Sequence, residues 1–149
     1  MRKINDKLAV HGFDWDWEKM EEIKHEDDEY EEYNYGVITD DKFDKTKTGL
    51  DGWIVLDCRI LLDDRFSPLN HYKTLINIGC ELLKSDAKVV CCCSAGQSRS
   101  NAIALGLLVD FFGMNFYDAW ELVKEKNRYS NIAMQHIDAL KEIFGVTIP

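Results

Sequence analysis

Several scarcities narrow the reading before any motif is considered. Proline is scarce, with two residues, and no Pro-, Gly- or Ser-rich stretch interrupts the chain. A single domain spanning residues 1–149 is therefore expected. Long apolar runs are absent: nothing approaches the ~20 residues that span a bilayer. Residues 1–12 also lack the apolar stretch of a secretory leader. The expectation is a soluble cytoplasmic protein without membrane contact, and a monomer. Basic charge is short as well, since 18 Lys and Arg against 27 Asp and Glu give a formal net charge of −9. A general nucleic-acid binder needs a basic footprint, so no nucleic-acid partner is expected. Spaced cysteine pairs are missing too. The five cysteines, Cys58, Cys80, Cys91, Cys92 and Cys93, are odd in number, with three adjacent. That arrangement suits neither a disulfide framework nor structural zinc, and neither a metal nor a cofactor is expected.

What is present is core-forming material. Apolar residues make up 46% and aromatics 11%, which excludes disorder. Charge is unevenly placed: residues 1–64 carry 19 acidic and 9 basic side chains, against 8 and 9 in residues 65–149. The acidity concentrates in residues 14–35, where Trp15, Trp17, Tyr30, Tyr33 and Tyr35 alternate with carboxylates. Such a run reads as a solvated face, and its aromatics as packing on the body.

Strand and helix patterns alternate along the chain. Residues 7–10 and 35–39 are short strand candidates, and 52–60 (GWIVLDCRI) reads as a buried strand. Ser67 and Pro68 offer a cap and first residue for a helix reaching Lys84. Residues 89–93 (VVCCC) form a continuous apolar strand. Helices are predicted over 101–112, ended by Gly113, then from Asn115 to about Asn127, then over 132–144. The alternation predicts an α/β fold with a mostly parallel central sheet flanked by helices. The helix 101–112, apolar almost all round, should be the buried one.

Between the last apolar strand and that helix lies Cys93-Ser94-Ala95-Gly96-Gln97-Ser98-Arg99-Ser100. Small residues with one glycine let successive backbone N–H groups turn inward as an anion nest, backed by a helix N-terminus. Arg99 can close the ring with its planar fork. A sulfur on the floor of that nest is favoured as the anion, and so becomes a nucleophile. A bland alternative, a glycine turn beside a buried cysteine, gives no reason for both Arg99 and Ser100.

The pattern Cys-x5-Arg-Ser after an apolar strand resembles the signature of the protein tyrosine phosphatase superfamily, in its dual-specificity branch. The resemblance extends to Asp63-Asp64-Arg65-Phe66-Ser67-Pro68-Leu69, an acidic loop before a helix about 30 residues ahead of the cysteine. It extends also to AWELVKEKNRYSN at residues 119–131, and covers about residues 50–144. It implies a cysteine phosphatase-like fold, with the phosphate loop between a buried strand and a buried helix. It further implies a protein phosphatase hydrolysing phosphotyrosine, with or without phosphoserine and phosphothreonine, through a phosphocysteine on Cys93. The substrate would be a phosphorylated protein or peptide. Ser94, Ala95, Gly96, Gln97, Ser98 and Arg99 would bind its phosphate, and Ser100 would ease departure of the sulfur. Asp63, or its neighbour Asp64, would be the general acid, with the family spacing favouring Asp63. Asn131 matches an asparagine that braces the loop. Cys58, on a strand expected to neighbour Cys93, is a candidate redox partner. One departure is Cys92, where the family usually has His. His11, His25, His71 and His136 read as surface or packing residues.

Three other functions are compatible with the loop. One is a same-loop phosphatase acting on RNA 5′-triphosphate or phosphoinositide, disfavoured by the uncharged Ser94, Ala95, Gln97 and Ser98. Another is a non-catalytic phosphate-binding module, which would be expected to lose Cys93, Arg99 or the acid. The last is a redox or rhodanese-like sulfur carrier.

Overall fold

The computed structural model describes residues 1–13, 36–38 and 50–146. The acidic segment 14–35 lies outside the described residues. Five strands form one sheet: β1 (Arg2–Lys3), β2 (Leu8–Gly12), β3 (Gly36–Ile38), β4 (Ile54–Asp57) and β5 (Val89–Cys93). Their spatial order is β1-β2-β5-β4-β3. The centre is parallel, with β5 between β2 and β4, and antiparallel β1 and β3 flank it. Parallel neighbours need a crossover, and α1 (Leu69–Lys84) supplies it between β4 and β5. Helices α2 (Arg99–Asp110), α3 (Phe116–Lys126) and α4 (Met134–Phe144) complete the described elements.

The period of two along the strands sorts side chains between two cores. Leu8, Val10, Leu56, Val89 and Cys91 join residues of all four helices in the larger one. Ala9, Val55, Val90 and Cys92 face the other way and meet Phe13, Leu50 and Trp53. The same alternation places Cys93 on the helix side. Helix α2 is the central one: every residue from Ser100 to Leu108 is buried, and it touches β2, β5 and the other three helices. That accounts for an apolar sequence with little preference for one face.

Several boundaries differ from the sequence expectation, each for a local reason. Strand β4 stops at Asp57 because the Asp57 carboxylate accepts the backbone N–H of Arg59 (3.0 Å), turning the chain out of the sheet. Ser67 does not cap α1. Its hydroxyl accepts the N–H of Leu62 (2.7 Å), closing the acidic loop, and Pro68 takes the cap position. Helix α2 begins two residues earlier than predicted, at Arg99. Asn115 does cap α3, accepting the N–H groups of Tyr117 and Asp118.

Candidate active site

Strand β5 ends at Cys93, which is 2% exposed, and the chain then passes through residues 94–98 into α2. Gly96 turns that loop with φ +71°, a left-handed value that favours glycine. The first turn of α2 folds back on its own strand: Cys93 Sγ and Ser100 Oγ are 3.2 Å apart. Ser100 is fully buried and accepts a hydrogen bond from Asn101 Nδ2 (3.2 Å), which leaves its own proton available to an anionic sulfur.

The loop is held from outside by its carbonyls. Gly96 O accepts from Asn101 Nδ2 (2.8 Å) and from Asn127 Nδ2 (3.1 Å). Asn127 Nδ2 also donates to Asn101 Oδ1 (3.0 Å), so the two buried amides form one unit. Gln97 O accepts from the backbone N–H of Asn131 (2.8 Å). Ser98 Oγ accepts from the N–H of Ala133 (3.0 Å), which is why Ser98 begins α2 without capping it by its side chain. Peptide planes point C=O and the following N–H in opposite directions. Holding the Gly96 and Gln97 carbonyls outward therefore turns the N–H groups of Gln97 and Ser98 toward the loop's inner side. The brace expected from the Asn131 side chain thus falls to Asn127, buried at the end of α3, while Asn131 contributes only its backbone. Beneath the loop, Gly12 in β2 sits against the Ala95–Gly96 peptide, where no side chain fits.

Arg99 ties this loop to the acidic one. Its Nη1 donates to the carbonyls of Leu61 (3.3 Å) and Arg59 (3.5 Å). Among the described residues its Nε and Nη2 take no hydrogen bond. Two positions beyond Leu61, Asp63 is fastened to the start of α4. Gln135 Nε2 donates to its carbonyl (2.7 Å), and His136 Nε2 lies 3.5 Å from its Oδ1. His136 is fully buried, with Nδ1 2.6 Å from the hydroxyl of buried Tyr72. Burial lowers the His136 pKa, the Asp63 carboxylate works against that, and Arg99 adds to the lowering. Asp64 behaves differently. Its side chain is 77% exposed and pairs with Arg65 (3.3 Å), which lowers its pKa.

Cys92 occupies the position before Cys93, and burial holds its thiol well above its usual range. It stands in a row across the sheet, between His11 on β2 and Asp57 on β4. All three are buried, and Asp57 is gripped by Arg59 through Nε (2.9 Å) and Nη2 (2.7 Å). Cys58 donates its backbone N–H to Cys92 O (2.8 Å). Burial raises its pKa foremost, helped by neighbouring Cys91. All five cysteines are unpaired. Among the described residues no group of three His, Cys, Asp or Glu could hold a metal, and no helix is long and apolar enough to cross a membrane.

The residues that sequence reasoning passed over are Gly12, Asn101, Asn127, Tyr72 and His136. Asn127 lay inside a segment already singled out, at a predicted helix end where its amide would face inward. His136 and Tyr72 carried no signal beyond helical spacing.

No protein-family model matches the sequence, and neither does any curated protein. Solved structures do match the fold. Human DUSP28 superimposes with TM-score 0.67 at 11% identity, covering 95% of this chain and 94% of that one. Tk-PTP in its active form gives 0.61 at 14% identity over 98% and 97%. A leucine-rich-repeat and phosphatase-domain protein from Entamoeba histolytica gives 0.61 at 14% identity, over 99% and 95%. The human tyrosine phosphatase-like serine/threonine/tyrosine-interacting protein is matched over only 53% of its length, at TM-score 0.49 and 24% identity. The chain carries the fold of the dual-specificity and tyrosine phosphatases.

Proposed function

We propose that this chain is a cysteine-dependent phosphatase that hydrolyses phosphotyrosine in proteins or peptides. The observation carrying the reading is the 3.2 Å contact of Cys93 with Ser100, at the base of a loop whose carbonyls are tied outward. A phosphate seated in that loop would meet the N–H groups of Gln97 and Ser98 and the unoccupied side of the Arg99 guanidinium. These donors are fixed before substrate arrives, which is the arrangement that stabilises charge developing in a transition state. The sulfur of Cys93 attacks phosphorus while the bond to the leaving oxygen breaks. That oxygen takes a proton from Asp63, whose fastening to α4 supports it over Asp64, which pairs with Arg65. Water then attacks the phosphocysteine, giving its proton to the Asp63 carboxylate. The S–P bond breaks, and the departing thiolate accepts a hydrogen bond from the Ser100 hydroxyl, which keeps its proton.

The surroundings support an aromatic ester. Among the described residues, the exposed large hydrophobic side chains are Leu62, Phe66, Tyr129 and Met134. Leu62 and Phe66 belong to the acidic loop. Tyr129 and Met134 flank the segment that donates to Gln97 and Ser98. Such a rim suits a phenyl ring next to the phosphate better than a further charged group. The test is hydrolysis of p-nitrophenyl phosphate and of a phosphotyrosine peptide, with orthovanadate as inhibitor. Wild type should turn over both and Cys93→Ser neither, with peptide binding retained. Substantial turnover by Cys93→Ser would overturn the reading.

A further inference from the structure

We propose that His136, locked in one tautomer by Tyr72, is the positioning residue for the acid Asp63. This role rests on the phosphatase reading above and adds a component to it. Three elements meet here: the acidic loop, α1 and the start of α4. The hydroxyl of Ser67 accepts the N–H of Leu62 (2.7 Å) and so holds the acidic loop beside α1. The Tyr72 hydroxyl gives its proton to Nδ1 of His136, 2.6 Å away, because Nε2 faces an acceptor oxygen of Asp63 and keeps the ring's hydrogen. An imidazole that accepts at Nδ1 carries its hydrogen on Nε2. Nε2 faces Asp63 Oδ1 at 3.5 Å.

The direction follows: Tyr72 to His136 and His136 to Asp63, while the Leu62 N–H to Ser67 bond closes the acidic loop beside them. Burial favours the neutral ring, and the charged groups facing it are Asp63 and Arg99, which act in opposite senses. A neutral donor on Oδ1 leaves Oδ2 to carry the proton that the leaving group receives. The same donor then stabilises the carboxylate while it takes a proton from water. The 3.5 Å separation is long for a hydrogen bond in the free protein, as contacts that tighten on substrate engagement often are. Gln135 fixes the backbone of Asp63 from the next position on α4, so main chain and side chain are both held from one helix start.

The readout must separate positioning from simple packing. Phenyl phosphate has a leaving group that needs the proton, whereas p-nitrophenyl phosphate needs it far less. His136→Phe should slow kcat on phenyl phosphate by about 10- to 100-fold, as loss of an orienting partner does, and on p-nitrophenyl phosphate by less than about threefold. His136→Gln, whose amide nitrogen can replace Nε2, should restore most of the loss. Tyr72→Phe, which removes only a hydroxyl, should show the same leaving-group selectivity more mildly. Heteronuclear NMR of the imidazole nitrogens in the full chain should find the Nε2–H tautomer in wild type, released in Tyr72→Phe. The role is overturned by an Nδ1–H or charged ring at neutral pH, or by equal slowing of both esters. A wild-type chain that turns over neither ester overturns the phosphatase reading itself, and this role with it.

Discussion

Gly12→Ala tests whether the loop after Cys93 is seated on the sheet. Gly12 ends β2 in register with Cys93. A Cβ there would stand 2.6 Å from the carbonyl carbon of Ala95, and 2.7 Å from both Ala95 O and Gly96 N. Packed carbons rest about 3.5–4.0 Å apart, so the loop would have to retreat by roughly 1 Å. All three atoms are main chain, and no side-chain rotation relieves the clash. On its other side the loop is pinned by Asn101, Asn127 and the N–H of Asn131, so it cannot retreat without breaking those bonds. A catalytic group misplaced by about 1 Å loses on the order of 10²-fold in rate. That corresponds to about 2.7 kcal/mol of transition-state stabilisation. Overpacking should also lower stability by about 1–3 kcal/mol. The assay is kcat/KM on p-nitrophenyl phosphate at a temperature where urea titration shows the variant folded. Wild-type kcat/KM together with an unchanged urea midpoint would refute a loop resting on β2.

Asp63→Asn should lower kcat on phenyl phosphate by about 10²–10⁴-fold, the usual worth of a general acid, whereas Asp64→Asn should change it by less than about threefold. Reversed effects would move the acid by one residue. Asp57→Ala should destabilise the fold by about 1–3 kcal/mol in urea titration, because it removes the buried carboxylate that accepts from the backbone N–H, Nε and Nη2 of Arg59. Burial holds His136 below its usual 6.5, so under that pH the native chain binds fewer protons than the unfolded one. Stability should therefore fall as pH drops from about 6.5 toward the folded-state value. His136→Gln should lose this dependence, read as urea midpoints on either side of that window.

What the sequence made legible follows the range of the physics involved. Local signals set the order of elements. A continuous apolar run made β5, the small-residue loop and Arg99 marked the turn into α2, and Asn115 marked the start of α3. The contact between Cys93 and Ser100 was also within reach, since both flank one turn. The misplaced boundaries arose where a side chain made a different local bond, as when Ser67 closed the acidic loop instead of capping α1. The remainder of the site depends on contacts between distant segments, and no spacing rule reports those. Gly12 precedes the Ala95–Gly96 peptide by more than eighty positions, and only the parallel pairing of β2 with β5 explains its missing side chain. Asn127 and Asn131 are equivalent by composition. What separates them is that Asn127 ends α3 with its amide buried against Asn101, whereas Asn131 has already turned outward. His136 looked like a packing residue because its partners, Tyr72 and Asp63, come from two other elements. The side chains proposed to carry the chemistry thus come from two loops, Cys93, Arg99 and Ser100 from one and Asp63 from the other, while the groups that aim them come from β2, α1, α3 and α4. The loop after Cys93, transplanted without those supports, would keep its Cys-x5-Arg-Ser pattern but not the outward carbonyls that turn its N–H groups inward.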